Sequence, residues 1–313
     1  MAVYDCFPFF NENDLLELRL NQHWDFVDKF IITEAGETHT GLPKPFNFDR
    51  DRFKQYESKI IYSQIPDFSP TTMNRLQSPS CKLLDNHSRA DRSGRGQHTD
   101  DWIRDHFQGN YPVKVLLELG AKDSDIVYIS ALDEILNENG FIKGIERFSD
   151  NKHHPVRSGG RPLGYGSSCM LRPLFGFTLD MYIYKFNLFS VKQPGPAMME
   201  VGVFAGTPDM APVLPSTARS LALDTHTPIE DAGWHFSWLD DTKGEKILLK
   251  QKSWAHSRDR LANQKVKFSH TTIDEALERL FIDYEMREVP ICAETHPAYL
   301  VQNLDKYSNY ISP

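Results

Sequence analysis

The chain contains no run of 18 apolar residues, so no transmembrane helix is expected. Its opening, Met1-Ala-Val-Tyr-Asp-Cys6, has neither the basic segment nor the apolar core of a secretory leader. Cysteine is scarce, and Cys6, Cys81, Cys169 and Cys292 stand far apart with no CxxC pair. That excludes a disulfide scaffold and zinc-site spacing, and points to free thiols in a reducing, cytoplasmic compartment. His153-His154 is an isolated pair in a polar stretch and reads as solvated. An excess of positive charge is also lacking. Lys and Arg number 35 against 43 Asp and Glu, a net charge of −8, which argues against a generic nucleic-acid or membrane-surface binder. The basic charge that exists is local: Arg75, Lys82, Arg89, Arg92, Arg95 and Arg104, then Lys143, Arg147, Lys152, Arg157, Arg161 and Arg172. Two readings stay open for these stretches, solvated loops or a frame around an anionic ligand.

At 313 residues the chain suffices for one large α/β domain or two small ones. Residues 3–9 and 27–34 read as strands, with a leucine-rich helix from Asn13 to Gln22 between them. Asn11 or Asn13 is the expected cap of that helix, and strand, helix, strand is a βαβ unit. Lys59–Ser63 reads as a third strand, and Trp102–Leu119 as one or two helices interrupted near Gly109–Pro112. Stretches 66–100 and 149–168 are long polar loops. Residues 197–232 show little periodicity, and Gly233–Trp238 reads as a strand. Thr272–Tyr284 has Ile273, Leu277, Leu280 and Phe281 at helical spacing, and residues 270–313 read as a helical closure of one domain spanning 1–313.

The most informative segment is Asp125-Ile-Val-Tyr-Ile-Ser-Ala-Leu-Asp-Glu-Ile135. A short apolar run ending in an acidic pair reads as a buried parallel strand delivering carboxylates to the sheet's carboxyl edge. Ligands of open α/β sheets bind at that edge, where carboxylates hold a divalent cation against a phosphorylated ligand. Glu34, closing the second strand, reaches the same edge by the same logic.

The pieces together resemble glycosyltransferase family seventeen. The resemblance is carried by Asp5–Glu12 with Asp14–Leu20, by Val27–Glu34 with Thr38–Pro45, and by Trp102–Arg104 with Phe107–Asn110. Asp125–Ile135, Ala232–Trp238 and Pro297–Asn303 extend it along the chain in the family's order. The resemblance implies a GT-A type fold, a Rossmann-like and mostly parallel α/β sheet flanked by helices. It implies an inverting transfer of a sugar, such as N-acetylglucosamine or another hexose, from a UDP-sugar to a glycan hydroxyl, with Mn²⁺ or Mg²⁺ at the diphosphate. Two departures stand out. The family's Ser-Asp-x-Asp-Glu is here Ser130-Ala131-Leu132-Asp133-Glu134, and an arginine often found after Gln108 is replaced by Gly109.

On that footing Asp133, His235 and His256 are the metal candidates. Phe9, Phe10, Asn11, Glu34, Arg104, Gln108, Ala131 and Glu134 are the donor-binding candidates. Glu200 and Asp231 are base candidates from position alone. The partners expected are a nucleotide-sugar donor and a glycan acceptor, with no membrane span. A phage-type transfer to hydroxymethylated bases of DNA is an alternative that the basic stretches suggest. A catalytically impaired sugar-nucleotide binder is another, suggested by Ala131 and Gly109. A metal-dependent phosphohydrolase ranks below both, since no His-rich two-metal pattern exists.

Overall fold

Strand β1 (Val3–Phe9) is buried along nearly its whole length, as a central strand of a parallel sheet must be. In the computed structural model, which describes residues 1–65, 100–149, 174–205, 215–223, 228–255 and 272–313, it lies between two parallel neighbours. These are β2 (Lys29–Ala35), joined to it through α1 (Asn13–His23), and β4 (Ile126–Ile129). β3 (Ile60–Ile65) adds to β2, also parallel. Alternate side chains serve opposite faces. Tyr4, Cys6, Ile31, Val127 and Ile129 pack with α2 (Asp100–Asn110) and α3 (Pro112–Glu118). Val3, Phe7, Phe30, Ile32 and Tyr128 pack with Leu16 and Leu20 of α1.

The rest of the sheet is mixed. After β5 (Glu134–Leu136) and α4 (Glu138–Ser149) come two long strands, β6 (Leu174–Ile183) and β7 (Leu188–Glu200). Two short helices, α5 (Gly202–Ala205) and α6 (Pro215–Leu223), precede β8 (Gly233–Ser237). Then follow α7 (Glu245–Ser253), α8 (Ile273–Asp283), β9 (Arg287–Glu288) and α9 (Ala298–Gln302). The nine strands are ordered β3-β2-β1-β4-β7-β6-β8-β5, with β9 on β7. β7 is antiparallel to β4 and β6, β8 is parallel to β6, and β5 is antiparallel to β8. The parallel sheet expected from the sequence is therefore the N-terminal half.

This order has a consequence for the acidic motif. β4 sits mid-sheet and β5 ends the order, yet only residues 130–133 separate them. The sheet curls so that this short turn closes the gap, and the motif occupies the closure.

The β6–β7 hairpin was not anticipated. Pro194, Gly195 and Pro196 interrupt β7 as a sequence pattern, and the structure accommodates them at an irregularity between Gly176 and Thr178 of β6. The expected asparagine cap of α1 is also absent: Glu12 holds the cap position without a side-chain bond to the helix, its Oε2 accepting from the Asn11 N–H at 3.0 Å, and Asn13 Nδ2 donates to the Asn47 carbonyl at 3.2 Å. α8 forms as expected, with a capping box between Thr272 and Glu275, but Phe281 is 50% exposed and packs only its edge against Tyr184. The polar stretches 66–100 and 149–168 fall almost wholly outside the described residues, as do Cys81, Cys169, His153-His154 and His256.

Candidate active site

Asp5 on β1 and Arg19 on α1 are both completely buried. Arg19 Nε and Nη2 donate to the two carboxylate oxygens of Asp5 at 3.0 and 2.5 Å. Its Nη1 donates to the carbonyls of Ala131, Leu132 and Glu134 at 2.7, 3.0 and 2.9 Å, and Nη2 also reaches Ser130 Oγ at 2.6 Å. One guanidinium thus holds the backbone of the whole turn from 130 to 134. His23 completes the group: Leu136 N–H donates to its Nε2 at 3.0 Å, so Nδ1 carries the proton and donates to Asp5 at 2.7 Å. Burial, aided by the Arg19 charge, outweighs the pull of Asp5 and lowers the His23 pKa. The Asp5 carboxyl would be raised by burial, but Arg19 and His23 hold it below its usual range.

The turn so held faces a cavity of about 960 Å³ at the carboxyl edge of the parallel strands. Asp133 projects beside it. Burial would raise its carboxyl, but the charges of Lys250 and His235 hold it well below the carboxylate range. Lys250 Nζ lies 3.4 Å from Oδ2 and His235 Nε2 3.5 Å from Oδ1. Oδ1 is buried and has no hydrogen-bond partner among the described residues. Burial would lower the His235 and Lys250 pKa values, yet Asp133 raises both. Glu134 is differently placed: Oε1 accepts from Arg219 Nη2 at 2.7 Å, and Oε2 from the Ala131 N–H at 2.6 Å. Gly195 leaves room for this carboxylate, because a Cβ there would stand 2.4 Å from Oε1.

Several sequence candidates meet here. Phe9, Phe10, Gln108, Ala131, Asp133, Glu134 and His235 all line the cavity. Phe9 is buried and stacks edge-on against Phe48, so its ring serves the core more than the cavity. Asn11 lines a smaller adjoining pocket. Gln108 Oε1 meets His39 Nε2 at 3.1 Å, and His39 Nδ1 lies 3.5 Å from Asp105.

Other candidates are placed elsewhere. Glu34 is completely buried and its carboxylate accepts from Lys44 Nζ, Asn47 N–H, Phe48 N–H and Tyr62 OH, at 2.6, 2.6, 3.2 and 2.7 Å. Its acceptor capacity is filled, and it organises the loop after β2. Arg104 braces the same loop, with Nη1 donating to the His39 carbonyl at 3.3 Å and the guanidinium packed over Gly41. Arg219, which the sequence did not single out, lines the cavity where Arg104 does not. Glu200 pairs with Ile126, at the amino end of β4 and the opposite edge from Asp133. Asp231 is a 71% exposed partner of Lys192, just before β8. Neither base candidate lines the cavity.

Comparison with known proteins bears on this site. The model of glycosyltransferase family 17 matches residues 1–79. The chain resembles that family. The matched segment holds β1, α1 and β2, and with them Asp5, Arg19 and His23, which shape the acidic turn. Over 243 residues the chain is 21% identical to beta-1,4-mannosyl-glycoprotein 4-beta-N-acetylglucosaminyltransferase of Rattus norvegicus, Homo sapiens and Mus musculus. That alignment covers 75% of this chain and 39% of the rat and mouse proteins, or 40% of the human one. The chain spans about two fifths of the length of the relatives it matches. No helix among the described residues is long and apolar enough to cross a membrane.

Proposed function

We propose that the cavity binds a nucleotide-sugar, with UDP-N-acetylglucosamine as the leading donor, and that the chain transfers the sugar to a glycan hydroxyl with inversion. The carrying observation is the Asp133 carboxylate, 13% exposed at the carboxyl edge of a parallel sheet, on a turn whose carbonyls Arg19 holds. This edge is where α/β sheets receive nucleotides, and the placement supports a GT-A type reading of the fold.

A divalent cation fits the donors present. Asp133 Oδ1 is buried with no hydrogen-bond partner among the described residues, and His235 Nε2 is 3.5 Å away, close enough for both to face one ion. Among the described residues no group of three or more acidic, His or Cys side chains could hold a metal. One carboxylate with substrate phosphates and waters completing the shell is a normal arrangement for Mg²⁺ in nucleotide sites. Such an ion would neutralise charge developing on the leaving diphosphate. His256, the third candidate, lies outside the described residues.

The chain's own residues supply the remainder. Arg219 and Lys250 add positive charge to the cavity wall, and Glu134 orients Arg219. For the acceptor proton, His39 lines the cavity as Glu200 and Asp231 do not, with Nδ1 3.5 Å from Asp105, and it serves as base once its Nε2 is released from Gln108 Oε1. The DNA alternative has no support in the described part of the basic stretches: Arg104 braces a loop and Arg147 lies over the Phe175 ring.

Calorimetry with a panel of nucleotide-sugars, with and without Mn²⁺, tests the reading. One UDP-sugar should bind, more tightly with Mn²⁺, and Asp133→Asn should abolish the Mn²⁺ dependence. Binding that ignores both Mn²⁺ and Asp133→Asn would refute the metal assignment, and no binding of any nucleotide-sugar would refute the site.

A further inference from the structure

Lys250 lines the cavity beside Asp133, and its contact with that carboxylate asks for more than added positive charge. It stands on α7 with its Nζ 3.4 Å from Asp133 Oδ2, so it competes for the carboxylate that a divalent cation would use. A cation held there as a structural partner alone would weaken the very site it touches.

The surroundings indicate deliberate placement. Lys250 Nζ lies 5.1 Å from the Trp238 ring centre and over its face. Trp238 has φ +58°, a left-handed conformation that a bulky residue adopts only under constraint, and such strain gathers at functional sites. Trp254 packs edge-on against Trp238 at 5.2 Å. The turn before α7 is fixed by Asp240, which is completely buried and accepts from Thr242 N–H, Gly244 N–H and Lys246 N–H at 3.2, 2.7 and 3.2 Å. The turn before α7 is thus held by buried bonds, while the lysine side chain, 32% exposed, lines the cavity.

We propose that Lys250 is a catalytic residue whose ammonium rests on Asp133 in the free protein and moves to the leaving diphosphate when donor binds. This rests on the nucleotide-sugar reading of the cavity. In the transfer, the acceptor oxygen bonds to the anomeric carbon as the bond from that carbon to the diphosphate oxygen breaks. The electron pair of the broken bond leaves on the diphosphate, and the acceptor's proton passes to the base. Lys250 keeps its own proton throughout and contributes charge and a hydrogen bond to the departing oxygen. The flexible four-carbon stem suits a cation that must change partners.

UDP is the probe, titrated into the full chain with and without Mn²⁺, for the wild type, Lys250→Met and Lys250→Arg. Lys250→Met should lose at least about tenfold in UDP affinity, with the larger loss when Mn²⁺ is omitted. It should bind Mn²⁺ alone several-fold more tightly, because the competing charge is gone. Lys250→Arg should bind UDP within about threefold of the wild type and shows that the fold tolerates change here. UDP binding by Lys250→Met within twofold of the wild type, or a tenfold loss in Lys250→Arg, would overturn the role of Lys250 while leaving the donor site standing. Failure of the wild type to bind UDP at all would overturn both.

Discussion

Arg19 is the residue on which the site depends most. Its donors are spent on Asp5, on Ser130 and on three carbonyls of the acidic turn, all inside the protein. Lysine cannot reproduce that fork, so Arg19→Lys leaves several of these largely buried acceptors unpaired. We expect it to cost about 3–5 kcal/mol in denaturant unfolding. A loss under about 1 kcal/mol would show that the turn holds its shape without the clamp. The place of Asp133 just past β4 was legible from a buried strand running into an acidic pair, a pattern that solvated turns and helix N-termini also show. Arg19 was not, because a lone arginine among Leu15, Leu16, Leu18 and Leu20 looks like the solvated side of a helix. In fact α1 is buried all round: Leu16 and Leu20 face the sheet, while Leu15 and Leu18 meet Phe186 and Tyr307 of a second cluster. Glu34 was legible as an edge carboxylate, but its role depends on Lys44, Asn47 and Tyr62, which only the folded loop brings to it.

At the scale of elements, strand periodicity located β1, β2, β3, β4 and β8 to within a few residues, because each is a short apolar run with clear ends. The β6–β7 hairpin escaped because its prolines and glycine mimic a loop, and because the pairing that tolerates them is long-range. β8 carries a second constraint. Gly233 has φ +146°, and a Cβ there would stand 2.1 Å from the Ile135 carbonyl oxygen of β5. Since β5 and β8 pair Glu134 with His235, separating them would move both away from the cavity. Gly233→Ala should therefore lose about 3 kcal/mol of stability and weaken UDP binding with it. A variant as stable as the wild type would show that β5 and β8 can move apart freely.

At the scale of the whole molecule, the C-terminal segment is tied to α1. Tyr299 OH and Lys306 donate to Glu17, and Tyr310 OH donates to Asp14 at 2.7 Å. Residues nearly 300 apart in sequence thus frame one helix, and that helix carries Arg19 and His23. The buried Asp5–His23 pair makes the ensemble sensitive to acid. His23 has a pKa lowered from 6.5, so the unfolded chain binds its proton first, and stability is full above that pH and falls below it. Asp5, lowered from 3.8, has the same sign and extends the loss to lower pH. The melting temperature should therefore drop between about pH 7.5 and 5, and the drop should shrink in His23→Gln. An unchanged pH dependence in that variant would place the titrating group elsewhere.

The most direct test of the central claim is a crystal structure with a UDP-sugar and Mn²⁺, using the anomalous signal to locate the metal. The diphosphate should lie in the cavity beside the 130–134 turn, with the metal peak between Asp133 Oδ1 and His235 Nε2. A nucleotide bound away from that turn, or a metal peak that touches neither residue, would contradict it.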